Sequence, residues 1–234
     1  MCYNDKNEKE VIALKLLISA VTKFLAGILM VGLLLFLPAG TLRYPGGWRF
    51  CALLFIPMLI LGIVLFLKAP DLLKKHLAHK EKEQTQKKVI GASLLMFIGG
   101  FAAAGLDFRF GWSSMPGWVT TVASIILLLS YGLYAEVMRE NAYLSRTVEI
   151  QEGQKVIDTG LYGIVRHPMY MASTLLFLSI PLVLGSWYGF AIFCIYPFLM
   201  VRRIKNEESV LEAGLPGYIE YKEKVRYRMI PFIW

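Results

Sequence analysis

From Leu53 to Leu67 the chain runs without a single charged side chain, and Leu25 to Leu37 repeats the pattern. A helix on the surface of a soluble domain alternates apolar and polar faces, whereas about 17 to 25 apolar residues in succession suit a helix that crosses a bilayer. Lipid offers no hydrogen bonds, so each such segment must satisfy its own backbone, and helix is the form that does so. Composition agrees: 56% of the 234 residues are hydrophobic and 18% charged, more apolar than a soluble core of this size requires. Six apolar segments can be marked, at 16–38, 48–68, 89–106, 117–138, 169–185 and 186–202. The expected fold is all-α, a polytopic membrane helical bundle of about six membrane segments. The last two are short and meet at Leu184-Gly185-Ser186-Trp187 with no charge between them, which reads as a C-terminal helical hairpin with its tight turn at the far membrane face. Pro181 and Pro197 are expected to bend its arms.

Positive charge sets the orientation, because cytoplasmic loops retain Lys and Arg. If the segments alternate, 21 basic residues fall on one side, and only Arg43, Arg49 and Arg109 on the other. Lys23 lies within the first span, where a long side chain snorkels to the near interface. Both termini are therefore expected in the cytoplasm, as is a basic linker at 71–88. The first apolar run is not followed by a small-residue cleavage site and reads as a retained anchor. A net charge of +8 suits nucleic acid only on a soluble basic face, and here the basic residues separate apolar spans, so no nucleic-acid partner is expected. Cys2, Cys51 and Cys194 have neither CxxC nor Cys/His spacing, and His76 and His79 share a helix face without a carboxylate or thiol, so no metal site is expected.

After residue 140 polar and charged residues gather on the side with the basic loops, dividing the chain into a 1–140 region of about four spans and a 141–234 region suited to chemistry. Thr159 to Tyr170, TGLYGIVRHPMY, runs straight into a span. Pro168 fits the first turn of that helix, where its missing N–H costs nothing, and places Arg166 and His167 at the helix entrance. The dipole and backbone N–H groups there attract an anion such as a carboxylate. Arg203 and Glu207 are four apart where the last span ends, so on a helix they share a face and either bracket a ligand or pair with each other. The tail offers GYIEY from Gly217 and VRYRMIP from Val225.

Taken in order, TGLYGIVRHPMY, the uncharged hairpin, RIKNEESVL, GYIEY and VRYRMIP resemble the isoprenylcysteine carboxyl methyltransferase and phospholipid methyltransferase superfamily, over about residues 145–234. The resemblance implies an integral membrane enzyme with a cytoplasmic pocket for S-adenosylmethionine and no Rossmann domain, and the chain carries no GxGxxG after a strand. It implicates Gln154, Lys155, Val156, Ile157, Tyr162, His167, Pro168, Met169, Tyr170 and Glu207 in cofactor binding. Arg203 falls at the substrate-binding arginine, which makes Arg203 and Glu207 the residues expected at the reaction. Leu161 stands where the family often has proline, and Ala172 where it often has glycine.

Methyl transfer from a sulfonium is an in-line displacement, so such a protein aligns donor and acceptor in a dry pocket and needs no nucleophile of its own. A carboxylate acceptor is already ionised at neutral pH and needs a cation to hold it, whereas an amine must first lose a proton. The expected function is carboxyl O-methylation of an isoprenylcysteine-like substrate, with a lipid-like or prenylated small molecule and the bilayer as partners. The alternatives are N-methylation of an amino-headgroup phospholipid, an NADPH-dependent membrane reductase resembling the sterol reductases in its tail, or a channel or transporter, for which Glu136 is the main intramembrane charge.

Overall fold

The computed structural model describes residues 2–70, 73–74, 84–141, 143 and 150–234. Most of the expected 71–88 linker, with His76 and His79, lies outside them. Every described element is helical: α1 (Cys2–Ala39), α2 (Pro45–Lys68), α3 (Gln84–Phe110), α4 (Gly117–Glu140), a 3-10 turn (Gly160–Gly163), α5 (Pro168–Leu184), α6 (Trp187–Phe193), α7 (Tyr196–Gly214) and α8 (Tyr218–Lys224).

Among the described residues, five stretches are long and apolar enough to cross a membrane: Ala13–Ala39, Pro45–Lys68, Lys88–Phe110, Gly117–Glu140 and Trp187–Gly214. The remaining expected segment, 169–185, is α5, which is apolar but has 17 residues, or about 25 Å of helix at 1.5 Å per residue, at the short end for a crossing. α5 is also the most enclosed: it packs on α4, α2, α6 and α7, and buries Tyr170, Ala172, Leu176, Ile180 and Val183. The lipid-facing helices show the reverse, with Leu29, Leu33, Ile56, Ile60, Leu95, Leu129 and Phe198 all exposed. Lipid is as apolar as these side chains, so close backbone approach and hydrogen bonds must supply the specificity of packing. Gly105 provides one such approach, since a Cβ there would lie 2.6 Å from the Leu35 carbonyl oxygen of α1. Tyr131 Oη of α4 donates to the Leu54 carbonyl of α2 at 3.0 Å.

The hairpin turns where expected. Gly185 adopts φ +84°, and Ser186 caps α6 by accepting from the Gly189 N–H at 2.9 Å. The second arm breaks at Cys194 and Ile195, just ahead of Pro197, into α6 and α7. The turn is held by a group from elsewhere in the chain. The buried Asp107 carboxylate at the end of α3 accepts from Ser186 Oγ at 2.5 Å, from Ser113 Oγ at 2.7 Å and from the Ser113 N–H at 2.8 Å. Tyr44, before α2, donates its hydroxyl to the Leu184 carbonyl at 2.8 Å. These contacts gather the 40–44 loop, the α3–α4 loop and the α5–α6 turn at one end of the bundle. The end of α4, the start of α5 and the end of α7 lie at the other.

Candidate active site

At that second end α4 runs out at Glu140 and Asn141, and the chain returns through the 3-10 turn. Gly160 takes φ +51°, and a Cβ on it would overlap the Glu140 carboxylate. Glu140 accepts from the Leu161 N–H at 3.0 Å, a bond that proline at this position would forfeit, so the departure from the family pattern at Leu161 has a local partner. Asn141 Nδ2 donates to Tyr162 Oη at 2.9 Å, and the Tyr162 carbonyl accepts from Tyr221 Oη at 2.7 Å. Burial holds the Tyr162 phenol well above its usual pKa, so it is neutral and able to hydrogen-bond in both directions. An exposed Lys224–Asp158 ion pair at 2.7 Å fastens the same turn to α8 and holds the Asp158 carboxyl below its ordinary range.

Pro168 opens α5 and His167 is its N-cap. The anion that meets this helix entrance is the protein's own. Glu208 of α7, 2% exposed, accepts from Arg166 Nε at 2.8 Å, lies 2.7 Å from Arg166 Nη2 and 3.3 Å from His167 Nε2, and takes Arg228 Nε at 2.8 Å on its second oxygen. The backbone N–H groups of Arg166 and His167 donate to the Tyr227 and Arg228 carbonyls, and Arg166 Nη1 reaches the Val225 and Arg226 carbonyls. The tail is thereby pinned across the start of α5. The helix entrance, expected to attract a ligand's carboxylate, is thus filled by Glu208, which Arg166 and His167 both contact.

Glu207 points elsewhere. Its Oε2 accepts from Tyr170 Oη at 2.5 Å, and the same phenol oxygen accepts from Arg203 Nε at 2.9 Å, with the guanidinium carbon 5.8 Å from the Tyr170 ring centre. Arg203 and Glu207 do share a face of α7, with the Tyr170 hydroxyl set between them; Arg203 is 8% exposed.

One cavity joins these parts. Gln154, Lys155, Val156, Ile157, Tyr162, His167, Met169, Tyr170 and Glu207 of the expected cofactor residues line it, together with Asn141, Tyr143, Arg166, Val210, Leu211, Leu215, Tyr218 and Tyr221. Pro168 and Arg203 do not line it; Pro168 sets the start of α5, and Arg203 stands behind Tyr170. Of the wall from Leu211 to Tyr221, Leu211 ends the RIKNEESVL segment and Tyr218 and Tyr221 belong to GYIEY, whereas Leu215 stands in none of the segments that the sequence singles out. Gly217 has φ +82°. The phenols of this wall are also raised by burial and stay protonated. Glu136, the charge that favoured a transport pathway, forms an exposed ion pair with Arg139.

Residues 118–214, from α4 to the end of α7, match the family model of phospholipid methyltransferase. A stretch of 91 residues is 28% identical to the Delta(14)-sterol reductase of Mus musculus, covering 38% of this chain. It accounts for 22% of that protein, so the chain spans about a fifth of the length of this curated relative. In fold the chain is similar to the eukaryotic intramembrane Ras methyltransferase, isoprenylcysteine carboxyl methyltransferase, with TM-score 0.54 and 19% identity over 87% of this chain and 74% of that one. The expected resemblance and the all-helical membrane fold both hold: residues 118–214 match the phospholipid methyltransferase family model, and the fold of the chain is similar to that of the intramembrane methyltransferase.

Proposed function

We propose that this protein transfers a methyl group from S-adenosylmethionine to the carboxylate of a lipophilic, isoprenylcysteine-like acceptor, at a cavity that opens on the cytoplasmic side. The observation that carries the reading is the Arg203–Tyr170–Glu207 relay, an anion on the cavity wall and a buried cation one helical turn away, joined through one phenol oxygen.

The residue types suit such a cofactor. Tyrosine rings and aliphatic side chains offer surface to a nucleoside, and Glu207 offers negative charge to a ligand with a sulfonium and an ammonium. Bound there, S-adenosylmethionine would supply a methyl group on a positively charged sulfur, poised for displacement. The protein's part is alignment and exclusion of water. Tyr170 fixes Glu207 and Arg203 relative to each other, and Glu208 helps to pin the tail across the start of α5. Arg203 stands behind Tyr170 rather than on the cavity wall, and its planar fork would hold the acceptor carboxylate there, beside the cavity that would hold the methyl donor. The carboxylate is already ionised, so no side chain has to remove a proton.

Incubation of membranes containing the protein with labelled S-adenosylmethionine and a farnesylated cysteine analogue tests this, because a methyl ester releases methanol in base and an N-methyl group does not. Arg203→Lys keeps the charge and loses the fork, so it should abolish esterification while S-adenosylhomocysteine binding persists. Base-stable label together with an active Arg203→Lys protein would transfer the assignment to N-methylation of an amino-headgroup lipid. The sterol reductase similarity supplies a second reading, and calorimetry of the solubilised protein with S-adenosylhomocysteine and with NADPH separates the two.

A further inference from the structure

Tyrosines that line the cavity have settled hydroxyls, with one exception. Tyr143 donates to the Gly153 carbonyl, Tyr162 accepts from Asn141, Tyr170 bonds Glu207 and Arg203, and Tyr221 donates to the Tyr162 carbonyl. Tyr218 is 4% exposed, and its hydroxyl is a buried polar atom without a hydrogen-bond partner among the described residues. Buried polar groups nearly always find partners, and one left unmade destabilises the fold that contains it.

The ring is not free to turn out and find water. Gly217 at φ +82° starts α8, the Tyr218 N–H donates to the Leu215 carbonyl at 3.2 Å, and the ring packs with Leu215, Tyr221 and Val225, against Val156 and Leu211. Tyr218 is thus held rigidly as part of the cavity lining.

That wall differs from the one at Tyr170. Val156, Leu211, Leu215 and Tyr221 are uncharged and partly aromatic, whereas the Tyr170 wall presents Glu207 with Arg203 behind it. A flat, neutral heteroaromatic ring is most at home on the first surface and a cationic group on the second. Resting on the cofactor reading above, we propose that the Tyr218 hydroxyl is an open hydrogen-bonding position for the adenosine half of S-adenosylmethionine, fixing which end of the cofactor meets the Leu211–Tyr221 wall.

The test is a comparison of wild-type protein and Tyr218→Phe in detergent, by calorimetry with S-adenosylhomocysteine and with 5′-methylthioadenosine, which keeps the nucleoside and lacks the amino acid. Both affinities should fall roughly five- to tenfold in Tyr218→Phe, the size of one lost hydrogen bond. Without ligand, the melting temperature of Tyr218→Phe should be equal to or above that of wild type, because the substitution removes a polar atom that had no partner. Tyr221→Phe, which does lose a bond to the Tyr162 carbonyl, sets the scale of a structural loss. A fall in melting temperature like that of Tyr221→Phe would overturn the proposal, as would unchanged affinity for both ligands, or weaker binding of S-adenosylhomocysteine alone. Wild-type protein that binds neither ligand would remove the cofactor reading itself, whereas wild-type binding matched by Tyr218→Phe would remove only the role of Tyr218.

Discussion

Two successive carboxylates on α7 have opposite duties because one residue along a helix is about 100° around it. Glu207 faces the cavity and meets Tyr170, while Glu208 faces the packed side and meets Arg166, His167 and Arg228. Glu207→Gln should weaken S-adenosylhomocysteine binding about tenfold or more with little change in melting temperature, since a charge facing the ligand is removed and the phenol keeps an acceptor. Glu208→Gln should act the other way. The side chains of Arg166 and Glu208 are 4% and 3% exposed, and an amide in place of the carboxylate strands a buried guanidinium, at a cost of about 3 to 5 kcal/mol by comparison with other broken buried pairs. Thermal unfolding with parallel calorimetry checks both, and equal effects from the two variants would mean that the division of labour is wrong. Glu207 was legible in the sequence because it falls within a recognisable motif at a fixed distance from Arg203. Glu208 was not, since its partners Arg166 and Arg228 lie 42 residues before and 20 after it, and neither separation repeats a local period.

Between residue and fold, the elements are joined by short polar locks at both ends of the bundle, where helix pattern gives no guidance. The apolar runs announced the helices, and Gly185 with Ser186 announced the hairpin turn. Asp107 could not be assigned to that turn, because Ser186 is 79 residues away and only the packing of α3 beside α6 brings them together. The lock at the site end is equally non-local: Glu140 and Asn141 hold Leu161 and Tyr162 across 21 residues. Gly160→Ala should disturb the cavity more than its small size suggests. The new methyl group would collide with the Glu140 carboxylate, and φ +51° disfavours any side chain by about 1 to 2 kcal/mol. The turn carries Tyr162 into the cavity, so this variant should lose affinity for S-adenosylhomocysteine as well as stability. Asp107→Ala at the opposite end should lower the melting temperature and leave affinity in the folded protein unchanged. A loss of stability in Gly160→Ala with wild-type affinity would show that the turn does not position the cavity wall.

At the scale of the whole molecule, the contacts fix which loops share a face, and charge then orients the faces. Tyr44 touches Leu184, and Asp107 touches Ser113 and Ser186, so the 40–44 loop, the α3–α4 loop and the hairpin turn lie together. Asn141, Tyr162, Tyr170, Glu207 and Tyr221 gather around the cavity at the other end. Arg43, Arg49 and Arg109 belong to the first face, and Arg139, Lys155, Arg166, Arg202 and Arg203 to the second, the arrangement that alternating spans and the 21 to three division of basic residues anticipate. α5 is the exception to that anticipation in length alone: enclosed by α4, α2, α6 and α7, it has little lipid to span and can be shorter than its neighbours. The basic face should therefore be cytoplasmic, with the cavity opening to the compartment where a soluble cofactor such as S-adenosylmethionine is at hand. Reporter fusions at Tyr44 and Ser113 should report the non-cytoplasmic side, and fusions at Gln154 and after Trp234 the cytoplasm. Mixed results within either pair would contradict the packing that joins them. A clean inversion of both pairs would leave the fold intact and overturn the orientation, placing the Arg203–Tyr170–Glu207 relay on the side of the membrane away from its proposed methyl donor.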